Sequence, residues 1–195
     1  MSKAILLSIR PKQVAKILNG EKTIEVRKQF PEDYVGWVYI YCCKGNKKNY
    51  HLIEVVDTNT HKEGYEYDYY IGSKGYLDWC LEGKVVAKFW CDKITEYVNG
   101  LNWEYVQHDA ASYDDYESIL EPSCLTDDEL RNYVDDLSFY VIPISKLEIF
   151  DKPKELSEFH LVNKIGIPQY QFGKGTCEYR TVKKAPQNYC YVEGD

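Results

Sequence analysis

Apolar and polar positions along the chain alternate in patterns that mark out a strand–helix–strand opening. Residues 4–9 (Ala-Ile-Leu-Leu-Ser-Ile) form an apolar run of strand length, the pattern of a strand buried on both faces. Pro11 follows, suited to a first helical turn because its missing N–H would have no partner there anyway. Val14, Ile17 and Leu18 then recur at helical spacing while Lys12 and Lys16 point away, and Gly20 after Asn19 supplies a stop. This predicts a short amphipathic helix over 11–19. Across 21–28, Ile24 and Val26 alternate with Thr23, Glu25 and Arg27, the period-two pattern of a half-buried strand.

Residues 36–43 and 83–91 are strong strands by composition, and 138–150 holds two more, broken at Pro143, which cannot donate to a sheet ladder. In the first of these, Trp37, Tyr39 and Tyr41 alternate with Val38 and Ile40, so either set can face the interior. Residues 188–193 read as a closing strand. Thr126-Asp127-Asp128-Glu129 is a capping box, with Leu125 and Leu130 placed as its staple and Leu130, Val134 and Leu137 as an inward face. Together these predict a helix over 126–137. A second, weaker start lies at Pro153, leading into Glu155, Leu156 and Phe159.

The fold class expected is α+β: a mixed, mostly antiparallel barrel with flanking helices, one domain over 1–195. Segments 44–78 and 99–122 lack clear period and read as long insertions, and 151–195 as a C-terminal extension. No run is long enough for a membrane helix, and the opening residues lack the core and cleavage site of a signal peptide. A cytoplasmic protein is the expectation, with no membrane partner and the oligomeric state left open.

Composition narrows the chemistry. Hydrophobic residues make up 44% and charged residues 28%, ordinary for a folded domain. The formal charge of −7 disfavours a broad electrostatic grip on nucleic acid. Charge is uneven, however: residues 3–28 hold Lys3, Arg10, Lys12, Lys16, Lys22, Arg27 and Lys28 against Glu21 and Glu25, whereas 63–68 and 109–136 are acidic. The seven cysteines show no C-x-x-C spacing and His51, His61, His108 and His160 lie far apart, so neither a metal site nor any cofactor is expected. Cys42-Cys43 reads as sheet packing, and His108 beside Asp109 as an improbable dyad because neighbours on a strand point apart. Lys44, Lys47 and Lys48 around Gly45 make a small basic loop, a secondary candidate for phosphate contact. The tyrosine-rich, acidic run His61–Tyr70 offers stacking surfaces but would repel a phosphate chain.

The segment Gly20-x-Lys22-x-x-Glu25-x-Arg27, set between helix and strand, resembles the ASCH domain family of the PUA-like superfamily, whose signature is Gly-x-Lys-x-x-Glu-x-Arg. Lys84–Phe89 and Ala185–Val192 are similar to the larger ASCH proteins of bacterial and prophage genomes. The resemblance implies a PUA-like barrel with a polar cleft between first helix and barrel, where Lys12, Lys22, Thr23, Glu25 and Arg27 would hold RNA or a modified nucleoside. A carboxylate beside a guanidinium and an ammonium suits a base edge or a phosphate. The bland alternative for Glu25 and Arg27 is a pair of solvated strand charges of little energetic consequence.

Some ASCH members are amidohydrolases of N4-acetylcytidine, using a lysine, a threonine nucleophile and a glutamate. Lys22 matches the lysine, but Glu25 stands at the threonine position and Thr23 does not correspond to it. The hydroxyl that such a mechanism acylates is therefore missing. Glu121 is the counterpart of the glutamate at a different spacing. Other members are linked to ribonuclease activity, for which Lys22 and Glu25 would serve as acid and base. The alternatives to a binding module are thus a metal-independent hydrolase or ribonuclease, or a protein-interaction module of phage or prophage origin.

Overall fold

The computed structural model describes residues 2–45, 50–55, 66–72, 80–97, 113–134, 138–173 and 176–194. In chain order the elements are β1 (Ser2–Ile9), α1 (Pro11–Leu18), β2 (Ile24–Arg27), β3 (Gly36–Cys42), β4 (Tyr50–Glu54), β5 (Glu66–Tyr70), β6 (Val85–Cys91) and β7 (Thr95–Tyr97). There follow α2 (Tyr113–Ser123), α3 (Asp127–Val134), β8 (Phe139–Pro143), β9 (Ser145–Lys154), a single 3₁₀ turn over Leu156–Glu158, β10 (Tyr170–Gly173), β11 (Thr176–Tyr179) and β12 (Tyr189–Gly194). The fold is α+β, rich in strands. Among the described residues the strand pairings do not close into a ring.

Two compact units emerge, one comprising residues 1–19, 36–90 and 146–195, the other 20–35 and 91–145. The first is built on a five-stranded sheet ordered β12-β1-β3-β6-β9. The inner strand β1 runs parallel to the central strand β3 and antiparallel to β12, so residues near the two ends of the chain are paired (Lys3 with Glu193, Leu6 with Cys190). Ala4, Ile5, Leu6 and Leu7 are all fully buried, as a continuous apolar run in an inner strand requires. On one face Ala4, Leu6, Tyr39, Tyr41, Val85, Phe159, Val182 and Val192 form a core. In β3 the choice between the two alternating sets does not arise: Val38, Tyr39, Ile40 and Tyr41 are all buried.

Helix α1 buries Val14, Ile17 and Leu18, as its spacing predicts, and lies against β3, β4 and β5. Asn19 caps it, and Gly20 follows with φ +76°, the left-handed conformation that favours glycine. The Asn19 amide also donates to the Tyr69 carbonyl while its Oδ1 accepts from the Ile71 N–H, tying the helix end to the edge of β5. Where Pro153 suggested a helix, β9 continues to Lys154 and only the one 3₁₀ turn follows. Glu155 caps that turn, its own N–H bonded to Glu158.

The second unit carries a three-stranded antiparallel sheet, β2-β8-β7, with α2 and α3. Val26, Ile119, Leu130, Val134, Phe139 and Val141 form its core, and Leu125 packs on it as the staple predicts. Tyr97 stacks flat on its cross-strand partner Phe139. The capping box is formed in both directions: Glu129 N–H donates to Thr126 Oγ1, and Thr126 N–H to Glu129 Oε2. Leu137 lies outside the described residues, and α3 ends at Val134.

Replacing Thr126 by Ala removes one half of this reciprocal cap and should lower the free energy of unfolding by about 1 kcal/mol in urea titration. An unchanged midpoint would show that α3 does not depend on it.

Candidate functional site

The second unit gathers the charged residues of the Gly20–Arg27 segment around the end of α2. That end is organised by the left-handed Cys124, at φ 53°. Cys124 N–H donates to Glu121 O and Leu125 N–H to Leu120 O, the paired bonds of a left-handed helix terminator. Two terminal carbonyls, those of Pro122 and Ser123, are left over. Thr23 N–H takes the first at 2.8 Å, and the Lys22 ammonium takes the second at 2.7 Å. No basic residue lies in the last turn of α2 itself, so Lys22 also supplies the positive charge that this negative end of the helix dipole favours. On its other side Thr23 O accepts from Ile144 N–H, which fixes the segment to β8.

From this anchored lysine a chain of charges runs along β2. Lys22 Nζ lies 3.3 Å from Glu25 Oε2, and Glu25 Oε1 lies 2.9 Å from Arg27 Nε. The three side chains are only 2%, 7% and 11% exposed. The alternation along β2 sets Glu25 and Arg27 on one polar side, read as lining a cleft, with solvated strand charges as the bland alternative. Glu25 and Arg27 are as buried as Val26, and Ile24 is the half-buried member. Burial on this scale requires that the charges compensate one another, since an unpaired buried ion costs several kcal/mol. Glu25 Oε2 has Lys22 as charge partner but no aligned hydrogen-bond donor.

The other predicted residues fall elsewhere. Thr23 is exposed at the edge of this arrangement, acting through its backbone. Glu121 is exposed on α2, and among the described residues its carboxylate makes no contact with the trio. Lys12 belongs to the first unit, exposed on α1. There its charge opposes the upward push that burial gives the Asp68 carboxyl. Lys47, Lys48, His61 and His108 lie outside the described residues.

Sequence reasoning missed three features, two here and one in the first unit. Ser123, fully buried, contributes its carbonyl to Lys22; no side-chain pattern announces a backbone acceptor. Tyr140, the cross-strand partner of Arg27, has its hydroxyl 3.3 Å from Glu32 Oε1 and 3.4 Å from Glu96 Oε1, with one proton to share between them, and it is pushed up by burial and by those carboxylates. It therefore stays a protonated donor across the neutral range. The third is a His51–Cys80–Glu82 cluster in the first unit, assembled from positions far apart in sequence. The cysteine doublet does read as packing: burial drives the Cys42 thiol far up, and it pushes Cys91 and Cys190 to about 11, so none is a ready thiolate.

Removing Lys22 leaves a buried helix carbonyl and part of a buried carboxylate without their donor. Lys22→Met should cost about 2–3 kcal/mol of stability in denaturant titration. A cost within experimental error would show the ammonium to be dispensable. At neutral pH, iodoacetamide should modify exposed Cys177 readily and leave Cys42 and Cys91 intact in the folded protein, as read by peptide mass. Equal labelling of all three would contradict the burial.

No family model and no curated protein sequence matches the chain. Among solved structures it is similar to ASCH from Zymomonas mobilis, with 12% identity over 78% of this chain and 73% of that one, at a TM-score of 0.45. A tyrosine-to-phenylalanine variant of that protein gives 13% identity, 80% and 77% coverage and a TM-score of 0.44. A serine-to-alanine variant gives 12%, 78% and 74%, and 0.47. At these TM-scores the likeness carries no argument about fold or activity.

Proposed function

We propose that the second unit is a recognition module for a single nucleobase or modified nucleoside, free or within RNA. The observation that carries this reading is the interlocked, nearly buried trio Lys22–Glu25–Arg27. Its geometry supports a small polar ligand. Arg27 sets a guanidinium beside Glu25, Nε 2.9 Å from Oε1, and Glu25 Oε2 and Arg27 Nε are both buried without an aligned hydrogen bond. A fixed fork of donors beside an acceptor is the complement of a base edge. A site whose polar groups are already held in place loses little freedom on binding.

Two features argue for a base rather than a phosphate chain. The protein carries a net charge of −7, and extended backbone contact depends on many exposed cations. The trio, moreover, is exposed only along a narrow margin at Arg27.

Catalysis by the same residues is less well supported. The Lys22 ammonium is engaged by the α2 carbonyl and by Glu25, which suits a positioning role rather than proton transfer. Glu25 in place of a hydroxyl also leaves no nucleophile for acyl transfer.

The test is calorimetric titration of wild type, Arg27→Ala and Arg27→Lys against a panel of nucleosides, including acetylated cytidine, and short single-stranded RNAs. Arg27→Ala should weaken the best ligand at least about tenfold, and Arg27→Lys should fail to restore it because a point charge lacks the fork. Identical, negligible binding by all three proteins would remove the proposal.

A further inference from the structure

A second constellation of side chains lies wholly in the first unit. His51 on β4, and Cys80 and Glu82 on the segment that leads into β6, bring one nitrogen, one sulfur and one carboxylate oxygen within 4.8 Å of one another. His51 Nδ1 is 3.3 Å from Glu82 Oε2 and 4.0 Å from Cys80 Sγ.

Both approaches are to the same ring nitrogen, and this decides between two chemistries. In a Cys–His–acid relay, the acid orients the imidazole through one nitrogen and the thiol gives its proton to the other. Here Nδ1 faces both, and a single nitrogen bears either one proton or one lone pair. It cannot donate to Glu82 and accept from Cys80 together. Three donor atoms converging on one point is instead the arrangement of metal ligands.

The distances fit. With Zn–N and Zn–O near 2.05 Å and Zn–S near 2.3 Å, a tetrahedral ion places N and O about 3.4 Å apart and N and S about 3.6 Å apart. The N···O separation already matches, and the N···S gap closes by a small rotation of the exposed Cys80. A thiolate and a carboxylate carry one negative charge each and together balance a divalent cation.

The positions are also held by the backbone. Leu81 N–H donates to Leu52 O, next to His51, and Gly83 N–H donates to Cys42 O, so Glu82 is clamped on both sides. Gly83 has φ +77°, a turn that a side chain would strain. Tyr67, paired with His51 in the β4–β5 register, lies tilted against the imidazole. Glu82 adds a second sign: its side chain is 8% exposed and Oε1 has no aligned hydrogen bond, although the Gly45 and Leu52 backbone groups also act on the carboxylate. A buried carboxylate oxygen without a donor is a costly omission that a cation would repair.

We propose that His51 Nδ1, Cys80 Sγ and the Glu82 carboxylate bind a divalent cation of the zinc class, with the exposed side at Cys80 leaving the fourth position open to water or another ligand. Mixed N, S and O donors in a tetrahedral set select zinc over magnesium or calcium. The ion would join β4 to the segment entering β6.

The test uses the full chain, reduced and freed of metal by chelator, with cobalt(II) as the probe and zinc measured by competition with a chromophoric chelator. Wild type should take up one cobalt per chain with tetrahedral d–d bands and a sulfur-to-metal charge-transfer band. Cys80→Ser should lose that band and bind zinc at least about 100-fold more weakly, while Cys177→Ser, remote in sequence and exposed, should retain both. His51→Gln should weaken zinc to a similar degree. Zinc should also raise the melting temperature of wild type and leave that of Cys80→Ser unmoved. Absence of the band in wild type, its survival in Cys80→Ser, or equal zinc affinity in the variants would overturn the assignment.

Discussion

The second unit depends on one electrostatic arrangement: a lysine that caps the C-terminal end of α2 and, with its neighbour in charge, holds a buried carboxylate in place. Without a donor, the Ser123 carbonyl would be an unsatisfied helix end in a fully buried position. Without cations on both sides, Glu25 could not lie 5% exposed. Lys22 answers both needs, and β2 follows as the strand that carries the remaining partner, Arg27. On the proposed reading, the groups that hold this structure together are also the ones that meet a ligand. Such double duty makes the site rigid and makes its loss expensive.

Much of the scaffold was legible in the sequence because local signals agreed. The run Ala4–Ile9, the spacing Val14, Ile17, Leu18, the stop at Gly20 and the box Thr126–Glu129 each state a backbone conformation directly. Elements that escaped lack such signals. Helix α2 is mostly acidic and polar, contains Pro122, and buries Ile119 as its one fully enclosed apolar residue among those described. Its place is set by tertiary contacts with β2 and by the terminal carbonyls, not by its own periodicity. β4 and β5 form a parallel pair from segments read as an irregular insertion, because few of their residues alternate cleanly.

Of the candidate site, the grouping of Lys22, Glu25 and Arg27 was legible, while Lys12 and Glu121 lie outside it and the burial of the trio was not legible. Spacing along β2 placed Glu25 and Arg27 on one side, as found, but period two cannot tell a solvated polar face from a buried, internally neutralised one. The residue types are identical in both cases. Likewise His51, Cys80 and Glu82 carry no ligand spacing in the sequence; a β-strand and a turn fixed by Gly83 bring them together. Proximity produced by topology leaves no mark in one dimension.

The central claim, that the buried charge chain is the recognition surface, is tested most directly by the ¹⁵N–¹H resonance of Arg27 Nε. In the free protein this proton should exchange slowly with solvent, because it is buried and the Glu25 carboxylate lies 2.9 Å away. On saturation with the tightest-binding nucleoside the resonance should shift, and a Glu25→Gln protein should show neither the slow exchange nor the shift. A saturating ligand that leaves the Arg27 Nε signal unmoved would contradict the account.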